Sequence, residues 1–301
     1  MALTAVDLFC GSGGLSAGLI DAGIDVTAAY DHWDAAVSTY RRNVSAHAGR
    51  MDLSDTEKSI GAISPAKPDL IAGGPPCQDF SSAGKRVEGG RANLTRCFAE
   101  IVSSCRPRFF LMENVPGARA SKTYADTKGR LAGAGYHTAE IVLDASYCGV
   151  PQIRKRFFVF GSLRKAAPAR FMRSLQDRLS GRRLTVKAYL GRAIDVEFYY
   201  RHPRNYSRRS VFSVHEASPT IRGVNRPVPP GYKGNHLDSA PPSSVRPLTS
   251  LERSRIQTFP ESWDWGAGDR NADAELQIGN AVPVNLASFV ATGIIDAAKQ
   301  G

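Results

Sequence analysis

The chain reads as an α/β protein, a mostly parallel sheet with helices on both faces, followed by a smaller basic and loop-rich insert. Three observations carry that reading. Short apolar runs alternate with helix-like segments over the first 160 residues. Residues 151–210 hold 16 Lys and Arg against Asp177, Asp195 and Glu197, a local +13 in a chain of net charge +11. Six prolines and two glycines then fill 225–247, which is too broken for regular core.

At 301 residues there is room for one large domain and an insert. A hydrophobic content of 42% and a charged content of 22% are ordinary for a soluble globular protein. There is no uninterrupted run of about 18 apolar residues to span a membrane. The start, MALTAVDLFCGSGG, lacks the basic and apolar regions of a secretory signal, so a cytoplasmic location is expected. Five cysteines (Cys10, Cys77, Cys97, Cys105 and Cys148) form no CxxC pair. That pattern predicts neither a disulfide scaffold nor a metal site, and it suits a reducing compartment. The basic block beside a near-neutral remainder reads either as a surface for a polyanion or as a solvated arginine-rich face.

Strands are expected at 5–9, 26–30, 69–72, 109–112, 139–143 and 157–160, with helices at 33–44 and 94–105 among the connections. Ligands of such a sheet sit at the carboxyl ends of its strands. The first strand runs into Asp7-Leu8-Phe9-Cys10-Gly11-Ser12-Gly13-Gly14, a turn whose glycines let backbone approach a ligand ahead of a helix N-terminus. It is not GxGxxG, and a plain tight turn is the alternative. Asp31, ending the second strand, stands where ribose hydroxyls are held. His32 and Trp33 can pack on an adenine, and Asp52, next to Leu53, can accept from an exocyclic amine.

The third strand leads into Gly73-Gly74-Pro75-Pro76-Cys77. Cys97 and Cys105 read as small buried apolar groups, whereas two prolines restrict the approach to Cys77, as suits a positioned nucleophile. Glu113 closes the fourth strand, where burial raises a carboxyl's pKa and fits it to donate to a ring nitrogen. Gln152-Ile153-Arg154-Lys155-Arg156 opens another strand, and alternation aims Arg154 and Arg156 into one pocket. Further on, Thr249-Ser250-Leu251-Glu252 spells a capping box. Leu286, Phe289, Val290, Ile294 and Ala297 mark an amphipathic last helix. No internal repeat is present.

Taken in order, these segments resemble the DNA (cytosine-5)-methyltransferases. The matching stretches are DLFCGSGG at 7–14, Asp31, GGPPCQDFS at 73–81, ENV at 113–115, QIRKR at 152–156, RPLTSLERSRIQTFP at 246–260 and GNAVPV at 279–284, nearly the whole chain. The resemblance implies a Rossmann-like, S-adenosylmethionine-dependent methyltransferase domain over 1–187, completed by 246–301. A small target recognition domain is expected at 188–245. It places S-adenosyl-L-methionine against Phe9, Gly11, Gly13, Gly14, Asp31 and His32 on one side. Trp33, Asp52, Leu53, Pro76, Leu94 and Asn280 complete that site. It makes Cys77 the nucleophile toward cytosine C6, puts Glu113 at N3 and Arg156 at O2, and sets Arg154 near the thiolate or a phosphate. Gln78, Ser81, Arg222, Asn225 and Arg226 are the expected DNA contacts.

The implied substrate is double-stranded DNA with the target cytosine flipped from the stack. The implied setting is a monomeric cytoplasmic enzyme of a restriction-modification system, with a restriction endonuclease acting on the same sequence. Two positions depart from the family pattern: Asp31 replaces a frequent Glu, and His32 stands where an aromatic often packs. A tRNA-directed relative would carry a Cys-Phe-Thr segment, which is missing. A binding protein without catalysis would break a motif, and a nicotinamide oxidoreductase leaves the Pro-Pro-Cys segment unexplained.

Overall fold

The computed structural model describes residues 2–76, 93–266 and 272–299. Its strands are β1 (Thr4–Leu8), β2 (Asp25–Asp31), β3 (Ala48–Arg50), β4 (Leu70–Gly73), β5 (Phe109–Asn114), β6 (His137–Asp144), β7 (Gln152–Ile153), β8 (Lys155–Ser162), β9 (Phe198–Tyr200), β10 (Val211–Ser213) and β11 (Ser218–Pro219). Its α-helices are α1 (Gly14–Asp21), α2 (Asp34–Asn43), α3 (Thr56–Ile63), α4 (Asn93–Cys105), α5 (Lys122–Gly133), α6 (Ala167–Arg178), α7 (Val186–Leu190), α8 (Ser250–Ile256), α9 (Ala272–Asn280) and α10 (Val284–Ala298).

Seven strands form one sheet in the order β3-β2-β1-β4-β5-β8-β6. Every pairing is parallel except those of β8, which runs against both neighbours. The connection from β6 to β8 carries no crossover helix, and a chain that returns directly must pair antiparallel. β4 and β5 are buried along their whole length, which is why they read as unbroken apolar runs. The edge strand β3 was not anticipated, because Ala-Gly-Arg carries neither alternation nor β-branched residues.

Alternation divides the core into two layers. Leu70, Ala72, Phe109 and Leu111 pack with Leu15 and Leu19 of α1, Phe171 and Leu175 of α6, and Leu286, Val290 and Ile294 of α10. Ile71, Phe110 and Met112 face the other way, onto Ile63 of α3, Phe98 and Ile101 of α4, and Tyr124 of α5. The stretch 272–298 is long and apolar enough by composition to cross a membrane. Here it is broken between α9 and α10, and the apolar side chains of α10 belong to the sheet's core.

Beyond α6 the chain builds a third cluster from Val186, Leu190, Ile194, Tyr199, Val214, Ile221, Leu248, Ile256 and Ile278. β9 and β10 form a small antiparallel pair, and β11 pairs in parallel with β7. Residues 225–247 hold one 3-10 turn, Pro242–Ser244, as their prolines imply. The capping box forms as expected: Thr249 Oγ1 accepts from the Glu252 amide, and Glu252 Oε2 accepts from the Thr249 amide.

One carboxylate lies wholly inside this frame. Asp7 of β1 accepts at Oδ2 from Ser16 Oγ at 2.6 Å, and Tyr40 donates to that same hydroxyl at 2.8 Å. Its Oδ1 has no partner among the described residues. Burial pushes the carboxyl from 3.8 to about 7, with the Ser16 hydrogen bond opposing. The native state therefore holds a proton that the unfolded chain releases between those values, so this stabilisation is complete below 3.8 and is lost as pH rises through about 7. Asp7→Asn has no charge to bury. Its thermal stability relative to wild type should rise between pH 4 and pH 7, by at most about 1.4 kcal/mol for each tenfold fall in proton concentration. A constant difference across that range would contradict a buried, proton-binding Asp7.

Candidate active site

The sheet's order reverses at β1, whose neighbours β2 and β4 lead outward in opposite directions. The crevice above such a point is the natural ligand site of an open α/β sheet. A continuous cleft of about 2040 Å³ opens there, reaching from Gly11 and Asp31 past Glu113 and Arg156 to Arg222 and Arg226. Small-molecule pockets run to about 300–1,000 Å³, so this cleft has room for more than one ligand.

Its first wall is the glycine turn. Phe9 (φ 58), Gly11 (φ 53) and Gly13 (φ 96) are all left-handed. For Phe9 that conformation costs of order 1–3 kcal/mol, a strain typical of ligand clamps. The carboxylate of Asp31 braces the turn, accepting from the Gly11 amide at Oδ2 and from the Trp33 amide at Oδ1, both at 2.9 Å. His32 Nδ1 stands 3.2 Å from the same Oδ1. A carboxylate oxygen takes two donors, so Asp31 keeps acceptor capacity for ligand hydroxyls. Trp33, Leu53, Pro76 and Leu94 line this end with Asp52, whose carboxyl is held below its usual range by hydrogen bonds from Ser54.

Gly14 has no room for a side chain: a Cβ there would stand 2.3 Å from the Val282 carbonyl oxygen. That close approach seats 279–282 beside the turn and brings exposed Asn280 to the cleft. Gly13 does not line the cleft as expected. A Cβ on it would meet Val44 and Tyr40, so it serves the turn's shape and its contact with α2.

The second wall is an acid with two arginines. Glu113 is buried at the end of β5, and Arg156 Nε reaches its Oε1 at 2.8 Å. Burial pushes the Glu113 carboxyl up, while Arg156 and then Arg154 pull it down. Its Oε2 would lie 3.0 Å from a Cβ at position 74, so Gly74 leaves space for the carboxylate. Asn114 Nδ2 donates to the Pro75 carbonyl at 3.3 Å, tying the end of β5 to the chain that leads toward position 77. Cys77, Gln78 and Ser81 lie outside the described residues.

Arg154 is tied to the backbone around it. It borders the cleft with Arg156, yet it is 1% exposed and its guanidinium donates to the carbonyls of Ile221 (3.0 Å), Gly279 (2.9 Å) and Ala281 (2.8 Å). Standing in the break between β7 and β8, it turns inward to give those carbonyls three of its five N–H groups, and its Nε has no partner among the described residues.

The third wall is basic. Of the 16 cations in 151–210, six border the cleft: Arg154, Arg156, Arg201, Arg204, Arg208 and Arg209. The other ten do not line it. Arg170, Arg173 and Arg178, for example, ride on α6, which packs against α10. Only part of the local charge excess therefore faces the cleft. Arg222 and Arg226 add to the cleft as expected, Arg226 exposed and Arg222 half-buried with its guanidinium on the His202 carbonyl. Asn225 does not border it. Its amide donates to the Leu248 carbonyl at 2.8 Å, so it braces its own loop. His202 and Arg204 line the cleft without having been singled out. The interleaving of Tyr199, Tyr200, His202 and Tyr206 with arginines over 199–209 was the available signal. Burial, followed by the charge of Arg222, lowers Arg201 to about 10.

Comparison with known proteins gives one answer. The family profile of the C-5 cytosine-specific DNA methylases matches residues 3–296. The chain is 50% identical to the Type II methyltransferase M.HgiDI of Herpetosiphon aurantiacus over 97% of its length and 94% of that protein's. It is 48% identical to the Type II methyltransferase M.HindV of Haemophilus influenzae, over 99% of this chain and 98% of the other. Among solved structures, the S. pombe Dnmt2 methyltransferase superposes with a TM-score of 0.71 at 18% identity, over 99% of this chain and 100% of that one. At that identity the match speaks for the fold alone.

The burial of Arg154 has a direct consequence for stability. Arg154→Met strands the buried carbonyls of Ile221 and Gly279, while Ala281 keeps a bond from Gln257 Nε2, and stranded buried acceptors cost about 1–3 kcal/mol each before relaxation. Urea unfolding should show a loss of about 2–4 kcal/mol; a loss below about 1 kcal/mol would contradict the arrangement.

Proposed function

The chain belongs to the C-5 cytosine-specific DNA methylases, and on that premise we propose that its cleft seats S-adenosyl-L-methionine at the glycine turn and a flipped-out cytosine between Glu113, Arg156 and Cys77. One observation carries the reading. A buried carboxyl, paired with Arg156 at 2.8 Å, borders the same cleft as a ribose-suited aspartate.

The residues present fit an adenosyl ligand. Asp31 offers acceptors for ribose hydroxyls, Trp33 and Leu53 offer apolar surface, and Asp52 offers a carboxylate for an exocyclic amine. When bound, the cofactor supplies a methyl group made electrophilic by its sulfonium. The protein's task is to make C5 of cytosine a nucleophile. In our reading the Cys77 thiolate adds to C6 while Glu113 donates a proton or hydrogen bond to N3, which leaves an enamine with electron density at C5. The raised pKa of Glu113 keeps a protonated fraction for that task. Arg156 orients Glu113 and contacts O2. After methylation a base removes the C5 proton, and departure of Cys77 restores the aromatic ring.

Extruding the base costs about a few kcal/mol. Arg204, Arg208, Arg222 and Arg226 line the cleft where phosphate contacts would offset that cost. We propose further that the enzyme acts as a cytoplasmic monomer on one specific duplex sequence, the modification partner of a restriction endonuclease that cuts the same sequence. Its described cysteines, Cys10, Cys97, Cys105 and Cys148, are all free.

Cys77→Ala should bind duplex DNA within a few-fold of wild type and lose labelled-methyl transfer by more than about a thousandfold. Duplexes carrying 5-fluorocytosine should trap the wild-type protein through Cys77, as read by mass spectrometry. An adduct on any other side chain would end this reading. Asp31→Ala should weaken S-adenosylmethionine binding by about 10–100-fold in calorimetry, the worth of a charge-assisted hydrogen bond, with DNA affinity unchanged. Equal losses for both ligands would remove Asp31 from the cofactor site.

A further inference from the structure

Two glutamines with no exposed surface meet beneath the cleft. Gln152 of β7 and Gln257, just past α8, are each 0% exposed, and Gln152 Nε2 donates to Gln257 Oε1 at 2.7 Å. The contact continues at both ends. The Ile221 amide donates to Gln152 Oε1 at 2.9 Å, and Gln257 Nε2 donates to the Ile278 carbonyl at 2.6 Å. A single line of hydrogen bonds thus runs from Ile221, through both side chains, to the end of α9.

The stations on this line are the parts that must agree in space during the reaction. Ile221 adjoins Arg222 on the basic wall. Gln152 is in the strand that leads to Arg156, the partner of Glu113. Ile278 is two residues from Asn280, on the turn that rests against Gly14. Arg154 repeats the connection beside it, binding Ile221, Gly279 and Ala281. Among the described residues no backbone ladder joins α8 or α9 to β7, so these side chains set the register there. An amide suits the task because it donates and accepts at once, which lets two of them pass a direction along a buried chain.

We infer that Gln257, with Gln152, is a positioning residue for methyl transfer, holding the recognition-side loop, the catalytic strand and the cofactor-side turn in one register. The inference rests on the methyltransferase reading above, and it assigns Gln257 an effect on turnover rather than on affinity. Neither glutamine borders the cleft, so neither touches a ligand.

The test compares wild type with Gln152→Met, Gln257→Met, the double variant and Gln257→Asn. The readouts are kcat at saturating S-adenosylmethionine and duplex DNA, the Kd of each ligand, and the melting temperature. Each Met variant should lose about 10–100-fold in kcat, the scale of a small misplacement of reacting groups. Both Kd values should stay within about twofold. The double variant should lose no more than the worse single one, because either break interrupts the same line. Gln257→Asn, the milder change, keeps the amide but is one methylene too short to reach both neighbours, so it should fall in between, and it serves if a Met variant does not fold. Three results would each overturn the proposal: a kcat for folded Gln257→Asn equal to wild type, losses that multiply in the double variant, or affinities that fall in step with kcat. Absence of methyl transfer by the wild-type protein would instead overturn the function itself, so the two failures are distinguishable.

Discussion

A guanidinium taken out of water must be met by acceptors, and Arg154 meets three backbone carbonyls brought in from two distant stretches of chain. The ties reach 67 to 127 residues along the sequence, from the end of β7 to the loop at Ile221 and to the turn between α9 and α10. Arg154 Nε has no partner among the described residues, so loss of any one carbonyl would leave the buried charge still further short of acceptors. The cleft keeps its shape because each wall is held to the others at this junction, with the paired glutamines alongside.

Above that junction the cleft is divided by charge. Asp31 and Asp52 stand at the glycine turn, and Arg201, Arg204, Arg208, Arg222 and Arg226 border the same cleft. Hydroxyls and amines are drawn to the first group and phosphates to the second. Glu113 and Arg156 occupy the border, where each satisfies the other and burial shifts the acid toward its protonated form. Two ligands of opposite demand can therefore share one space without competing for the same side chains.

Much of this was legible in the order of residues. Fully buried strands such as Phe109–Asn114 announce themselves, since both faces must be apolar, and Asp31 and Glu113 could be placed because acids that end buried strands face the carboxyl edge. What stayed hidden depended on direction or distance. Gly13 and Gly14 are neighbours in one motif, but only the fold shows that Gly13 faces Tyr40 while Gly14 takes the Val282 carbonyl. Arg154 and Arg156 alternate as a strand would and both border the cleft, but only the fold shows Arg154 bound to carbonyls from distant stretches of chain. Asn225 and Arg226 are adjacent, and one braces a loop while the other lines the cleft. The charge excess over 151–210 was real in sequence, but part of it sits on α6, whose cations do not line the cleft. For Gln257 there was no local signal, as its partners lie 105 and 21 residues away.

The contact between Gly14 and Val282 also bears on how the protein folds. The glycine turn and the backbone that closes over it lie far apart in sequence. The two segments must find each other before the turn has its final neighbours, a closure of the long-range kind that slows folding. A partly folded chain thus carries the turn open until that closure is made.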